Sequence, residues 1–173
     1  VHGEKTAVAM LSVVSNSVLV LLKVIVGVAI GSVSVISEAI HSGVDLLASF
    51  IALFAVRRSD EPADAEHPYG HGKIENISGA IEAGLIFIAA AWIIIEAVKK
   101  LLHAESVVEP GWGIAVMLVS SLANGVVSAS LFRVAHKTKS IALEADGWHL
   151  RTDVYTSAGV MAGLALIWIG ERI

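Results

Sequence analysis

The stretch SVISEAIHSGVDLLASFIALFAV, residues 34–56, is long and apolar enough to cross a lipid bilayer, yet it contains His41 and Asp45. A membrane-spanning helix needs about 20 mostly apolar residues. Ionisable side chains at that depth are energetically costly and usually serve transport or proton relay. On a helix, two residues four positions apart lie on one face, about one turn from each other. The stretch therefore predicts a transmembrane helix that carries a functional polar site.

The same arrangement recurs further along the chain, where HLRTD places His149 four positions before Asp153. Neutral imidazole and carboxylate are good ligands for first-row divalent metals, zinc especially. Two helices that each bring one His and one Asp can supply the four ligands of a tetrahedral site. The chain has no cysteine, so any metal site must use nitrogen and oxygen ligands. These residues predict part of a metal-ion carrier.

The bulk composition is that of a polytopic membrane protein. Of the 173 residues, 55% are hydrophobic and only 16% are charged, whereas soluble domains have about 45–50% and about 25%. The formal net charge of -4 is small and gives no reason to expect a nucleic-acid partner. The first residues lack the basic run, short apolar core and cleavage site of a signal peptide, so we expect the first apolar stretch to remain in the mature protein.

Apolar segments predict an all-α bundle of five transmembrane helices within one transmembrane domain, residues 1–173. The helices are expected at approximately residues 7–30, 34–56, 74–102, 112–135 and 141–169. Short connections are marked by Gly31-Ser32, Glu109-Pro110-Gly111 and Lys137-Thr138-Lys139. The one long polar loop covers residues 57–73.

The distribution of basic residues predicts a cytoplasmic N-terminus. On the cytoplasmic side we expect Lys5, Arg57, Arg58, Lys73, Arg133, Lys137 and Lys139, and on the outer side only Lys99, Lys100 and Arg172. With this orientation, Asp45 and His149 both lie about 15–18 Å from the cytoplasmic face, near the midplane of a core about 30 Å thick. Two helices therefore bring matching pairs of candidate ligands to a matching depth.

Three strings together resemble the cation diffusion facilitator family. They are GSVSVISEAIHSGVDLLAS at residues 31–49, EHPYGHGKIE at residues 66–75 and EADGWHLRTDVYTSAGV at residues 144–160. The resemblance covers essentially the whole chain. It implies homodimers that move divalent cations outward in exchange for protons, without enzymatic chemistry. It also implies a sixth helix and a cytoplasmic metal-binding domain, neither of which these 173 residues contain.

By match to the family motifs, His41, Asp45, His149 and Asp153 are the transport site. Two His-Asp pairs resemble the zinc class, with Cd²⁺ or Co²⁺ as further substrates. Some bacterial members also bind a metal in the loop, and the matching residues are Asp64, His67 and His71. The resemblance also favours an integral membrane protein of a prokaryotic inner membrane.

Other interpretations compete with this one. The His-Asp pairs could simply be hydrogen-bonded contacts between helices, and the loop residues could form solvated turns. A metal-responsive scaffold of the same fold would recruit partners and transport little, although it would have no need of an intact quartet. An intramembrane metallo-enzyme would require an open coordination position and a general base. Bis-histidine haem ligation is the fourth alternative, which the neighbouring carboxylates disfavour.

Overall fold

Five long helices make up the structure, a computed structural model that describes residues 2–31, 33–102 and 110–170. They are α1 (His2–Ile30), α2 (Val33–Ser59), α3 (Lys73–Leu102), α4 (Pro110–Thr138) and α5 (Ile141–Gly170). The predicted all-α bundle is confirmed. Four of the helices contain a window long and apolar enough to cross a membrane, at Gly3–Ile30, Val35–Ser59, Lys73–Ile95 and Ile114–Thr138. The apolar end of the fifth predicted span has side chains outside the described residues.

The helix ends extend beyond the predicted spans because polar residues continue the helices past the apolar windows. The predicted loop of residues 57–73 is shorter in the structure, since Arg57 and Arg58 form the last turn of α2. Cations in a last turn interact favourably with the helix dipole. The predicted connector at residues 137–139 is likewise mostly helical. Only Lys139 leaves α4, with φ of 55°, and the Ser140 hydroxyl then accepts the Leu143 N–H at the start of α5.

Two helical hairpins and one separate helix make up the bundle. The α1–α2 and α4–α5 pairs have the most extensive contacts, and α2 touches all four other helices. Gly31 turns the first hairpin with φ of 65°, a left-handed conformation that glycine adopts without strain. Below this turn the helices are very close, since a Cβ on Gly27 would lie 2.9 Å from Ile36 Cγ1 and 3.1 Å from its backbone N.

Apolar packing is concentrated at the end of the bundle where α1 and α5 begin and α2 and α4 end. The core there consists of Ala9, Val13, Leu53, Ala55, Val56, Val127, Leu131, Ala135, Ala142, Leu143 and Leu150. Polar side chains buried further along the helices form a layer next to this core. The packed end therefore holds α2 and α5 side by side at the level of their His-Asp pairs.

A buried ion cluster closes the same end. The Lys5 ammonium lies 2.8 Å from both Asp60 Oδ1 and Glu75 Oε1. Glu75 also accepts hydrogen bonds from the hydroxyls of Ser59 and Ser140. These groups tie the start of α1 to the ends of α2, α3 and α5, so the cluster fixes four helices relative to one another.

Candidate metal centre

The two His-Asp pairs meet across the α2–α5 interface. His149 Nε2 lies 3.1 Å from Asp45 Oδ1, and His41 Nε2 lies 3.5 Å from Asp153 Oδ1. Each histidine therefore pairs with the aspartate of the opposite helix and not with the one on its own helix. The i, i+4 spacing aligns the two residues of each helix along one face, and the relative height of α2 and α5 decides which histidine meets which aspartate.

The two contacts between the helices are close to the ligand spacing around a tetrahedral zinc ion. Ligand atoms of His41, Asp45 and Asp153 lie within 4.8 Å of one another. Bonds of about 2.0–2.1 Å put neighbouring ligand atoms of a tetrahedral site about 3.4 Å apart, close to the two distances between the helices. His149 Nδ1 and Asp153 Oδ2 are buried without a hydrogen-bond partner among the described residues. The site therefore contains two buried polar atoms whose described neighbours do not form hydrogen bonds with them.

Burial divides the quartet into two halves. The side chains of Asp45 and His149 are only 3% and 4% exposed, whereas those of Asp153 and His41 are 16% and 36% exposed. Two carboxylates in such a place together carry a charge of about −2 when both are ionised, and a dication would neutralise them. A charged group is stable at this depth only when it is paired or bound to a metal.

A layer of hydroxyl and amide groups supports the quartet. The Ser49 hydroxyl lies 2.8 Å from Ser12 Oγ and accepts a hydrogen bond of 2.7 Å from Asn16 Nδ2. It can donate to the carbonyl oxygen of Asp45 at 3.1 Å or to Asp146 Oδ1 at 3.3 Å. Ser49 therefore connects α1 and α5 to the turn of α2 that carries Asp45.

The loop brings its three candidate ligands together as well. Asp64 Oδ1 lies 3.1 Å from His67 Nδ1, and Asp64 Oδ2 lies 3.4 Å from His71 Nε2. The ligand atoms of all three residues fall within 4.8 Å of one another. Asp64 also accepts the backbone N–H groups of His67 and Glu66. The first of these is the main reason that the pKa of Asp64 lies below its usual value.

Comparison with known proteins identifies the family. Residues 9–172 match the model of the cation efflux transmembrane domain. This chain belongs to the cation efflux family. The resemblance to cation diffusion facilitators is thereby confirmed.

Several relatives of this family member are themselves transporters. An uncharacterized transporter of Synechocystis is 41% identical over 139 residues, which cover 80% of this chain and 45% of the relative. The cation-efflux pump FieF of Yersinia enterocolitica is 34% identical over 164 residues, covering 95% and 55%. That of Serratia proteamaculans is 34% identical over 154 residues, covering 89% and 51%. The chain spans about half the length of the curated relatives that it matches.

In this cation efflux domain, the structure adds residues that the sequence did not single out for the site. Ser12, Ser49 and Asp146 contact the quartet or its helices, but serine is too common in membrane helices to attract attention. Asp146 did give a signal, because it is ionisable and lies three positions before His149 on the same face of α5.

Proposed function

We propose that the full protein containing this domain exports a divalent cation, Zn²⁺ above all, from the cytoplasm in exchange for protons. Cd²⁺ and Co²⁺ are further substrates in this proposal. Membership of the cation efflux family supports the transport of a cation. The names of the relatives support efflux as its direction.

The observation that carries the proposal is the pairing of His41 with Asp153 and of His149 with Asp45 across the interface between α2 and α5. Their contacts of 3.1 and 3.5 Å between helices agree with the edges of a tetrahedral zinc site. Two nitrogens and two oxygens favour zinc over magnesium or calcium, which prefer more oxygen ligands. The two carboxylates also balance the charge of a dication, so that the loaded site is close to neutral.

Proton exchange follows from the same ligands in this proposal. An imidazole must be neutral and a carboxylate ionised before either binds a metal, so metal and protons compete for the same lone pairs. A proton taken up from outside would help to release the ion there, and deprotonation on the cytoplasmic side would restore the site. Relative motion of the helices that carry the ligands would alternate access to it.

The wider arrangement is proposed along with the chemistry. The N-terminus faces the cytoplasm, the protein lies in a prokaryotic inner membrane, and two copies form a homodimer. The loop residues Asp64, His67 and His71 hold a second metal at the cytoplasmic surface. Their mutual contacts of 3.1 and 3.4 Å support that assignment.

Calorimetric zinc binding tests the transport site. We expect Asp45→Ala/Asp153→Ala to lose one bound ion per chain relative to wild type, while His71→Ala loses a different one. In wild type, titrations in buffers of different ionisation enthalpy should report proton release on binding. Unchanged zinc stoichiometry in the Asp45/Asp153 variant would remove the basis for the transport site, and binding without proton release would contradict exchange.

A further inference from the structure

Two carboxylates outside the quartet are buried more completely than any member of it. Glu82 on α3 and Asp146 on α5 both have 0% exposure. Each lies at a depth where an ionisable group is costly unless it serves a function. The proposed transport site uses neither of them, so their placement requires another explanation.

The contact between α3 and α5 places Glu82 and Asp146 at one level of the bundle. A Cβ on Gly79 would lie 2.9 Å from Ile141 Cγ2 and 3.8 Å from Ala145 Cβ, which shows how closely the helices approach. Asp146 follows Ala145, and Glu82 lies three positions after Gly79, about one turn along α3. The two residues therefore lie at the same level of the bundle, on neighbouring helices.

Each carboxyl group has one oxygen that is bonded and one that is not. Ser78 donates to Glu82 Oε1 at 2.9 Å, and Ser49 can donate to Asp146 Oδ1 at 3.3 Å. Glu82 Oε2 and Asp146 Oδ2 are buried and have no hydrogen-bond partner in residues 2–31, 33–102 and 110–170. Within those same ranges, no lysine or arginine forms an ion pair with either group. Buried carboxyl oxygens of this kind require a proton, an ordered water or a bound cation.

We propose that Glu82 and Asp146 form a further, weaker binding site for a divalent cation on its way to the quartet. The inference rests on the proposed function and extends it. Asp146 lies three positions before His149, on the side of the quartet where α5 begins, the side assigned to the cytoplasm. The available ligands are all oxygens, from two carboxylates and nearby hydroxyls. Such a set binds zinc less tightly than imidazole does, which suits an ion that is passed on.

Equilibrium zinc binding to the full chain tests the site directly. The background is Asp45→Asn/Asp153→Asn/His71→Ala, which disables the quartet and the loop. We expect one weakly bound Zn²⁺ per chain to remain, and the further change Glu82→Gln to weaken it at least about tenfold. Glu144→Gln is the matched control, because it removes the same charge from an exposed position of α5. Equal residual binding in the Glu82 and Glu144 variants would overturn the proposal.

Zinc flux into liposomes, with the quartet intact, supplies the second measurement. We expect Glu82→Gln to slow flux about tenfold while the dissociation constant of the quartet stays within about twofold. Gln keeps the size of the side chain and one acceptor oxygen, and thermal unfolding checks that the variant folds. A parallel loss of flux and quartet affinity would overturn the proposal, because the pair would then only support the quartet.

Two further outcomes separate this proposal from others. If Glu82→Gln removes only the pH dependence of flux, the pair binds a proton and the cation site is refuted. If Asp45→Asn/Asp153→Asn alone keeps the full high-affinity zinc binding, the proposed transport site fails, whatever the Glu82 variant does. The two failures are therefore distinguishable.

Discussion

Replacing Ser49 with alanine should destabilise the bundle and weaken metal binding together. Its hydroxyl bonds to Ser12 and Asn16 on α1 and can donate to Asp146 on α5. Hydrogen bonds between membrane helices contribute about 0.6 kcal/mol each, so the loss of two or three of them in Ser49→Ala should lower the free energy of unfolding by about 1.2–1.8 kcal/mol. That is a factor of about 8–20 in the folding equilibrium.

The same substitution should weaken zinc binding up to about tenfold, the lower end of the effect of losing a group that orients a metal ligand, because the Ser49 hydroxyl reaches Asp45 at its backbone carbonyl and not at its carboxylate. Unfolding in a denaturing detergent, followed by tryptophan fluorescence, measures the first effect, and calorimetry measures the second. Ser130→Ala is the control, because the Ser130 hydroxyl donates to the Val126 carbonyl of its own helix. If both variants behave alike in both assays, the Ser49 hydroxyl does not hold the turn of α2 that carries Asp45.

Three other perturbations have defined outcomes. Gly27→Ala should cost about 1–3 kcal/mol of stability in detergent unfolding, because the new methyl overlaps α2, whereas Gly84→Ala has open space and should cost nothing. Lys5→Met should destabilise by up to about 3 kcal/mol, since it leaves two partly buried carboxylates without their ammonium; Lys137→Met breaks an exposed pair and should change stability by under about 1 kcal/mol. The lowered pKa of Asp64 means that its stabilisation of the loop is complete above the ordinary value of about 3.9 and is lost as pH falls through the lower folded value. An NMR titration midpoint of Asp64 at or above 3.9 would contradict this.

Much of the fold was predictable because each membrane helix is a long and nearly unbroken run of apolar residues. The His-Asp spacing also predicted which side chains would share a face, since the helical period fixes that locally. Which partner each would find was not predictable. The pairing of His149 with Asp45, and of His41 with Asp153, depends on the relative height of α2 and α5, which no local pattern encodes.

The proximity of the buried carboxylates to one another could not be predicted, for a different reason. Glu82 and Asp146 are far apart in sequence, and only the close approach of α3 to α5 at Gly79 joins them. The helix ends were also missed, because hydropathy reports where apolar residues stop and not where backbone hydrogen bonds stop. Lys5 lies in the first turns of α1, where it pairs with Asp60 and Glu75. These partners are distant in sequence, so composition does not reveal the contact.

The two hairpins give the domain an internal seam. Turns at Gly31 and Lys139 close the α1–α2 and α4–α5 pairs, and each hairpin carries one half of the quartet. An ion bound by all four side chains would join the two hairpins as a removable cross-link. A ligand that binds only the folded arrangement stabilises it by about 2.7 kcal/mol at a concentration one hundred times its dissociation constant. The cargo would thus also act as a structural component, and the seam would be weakest at the moment when the ion departs.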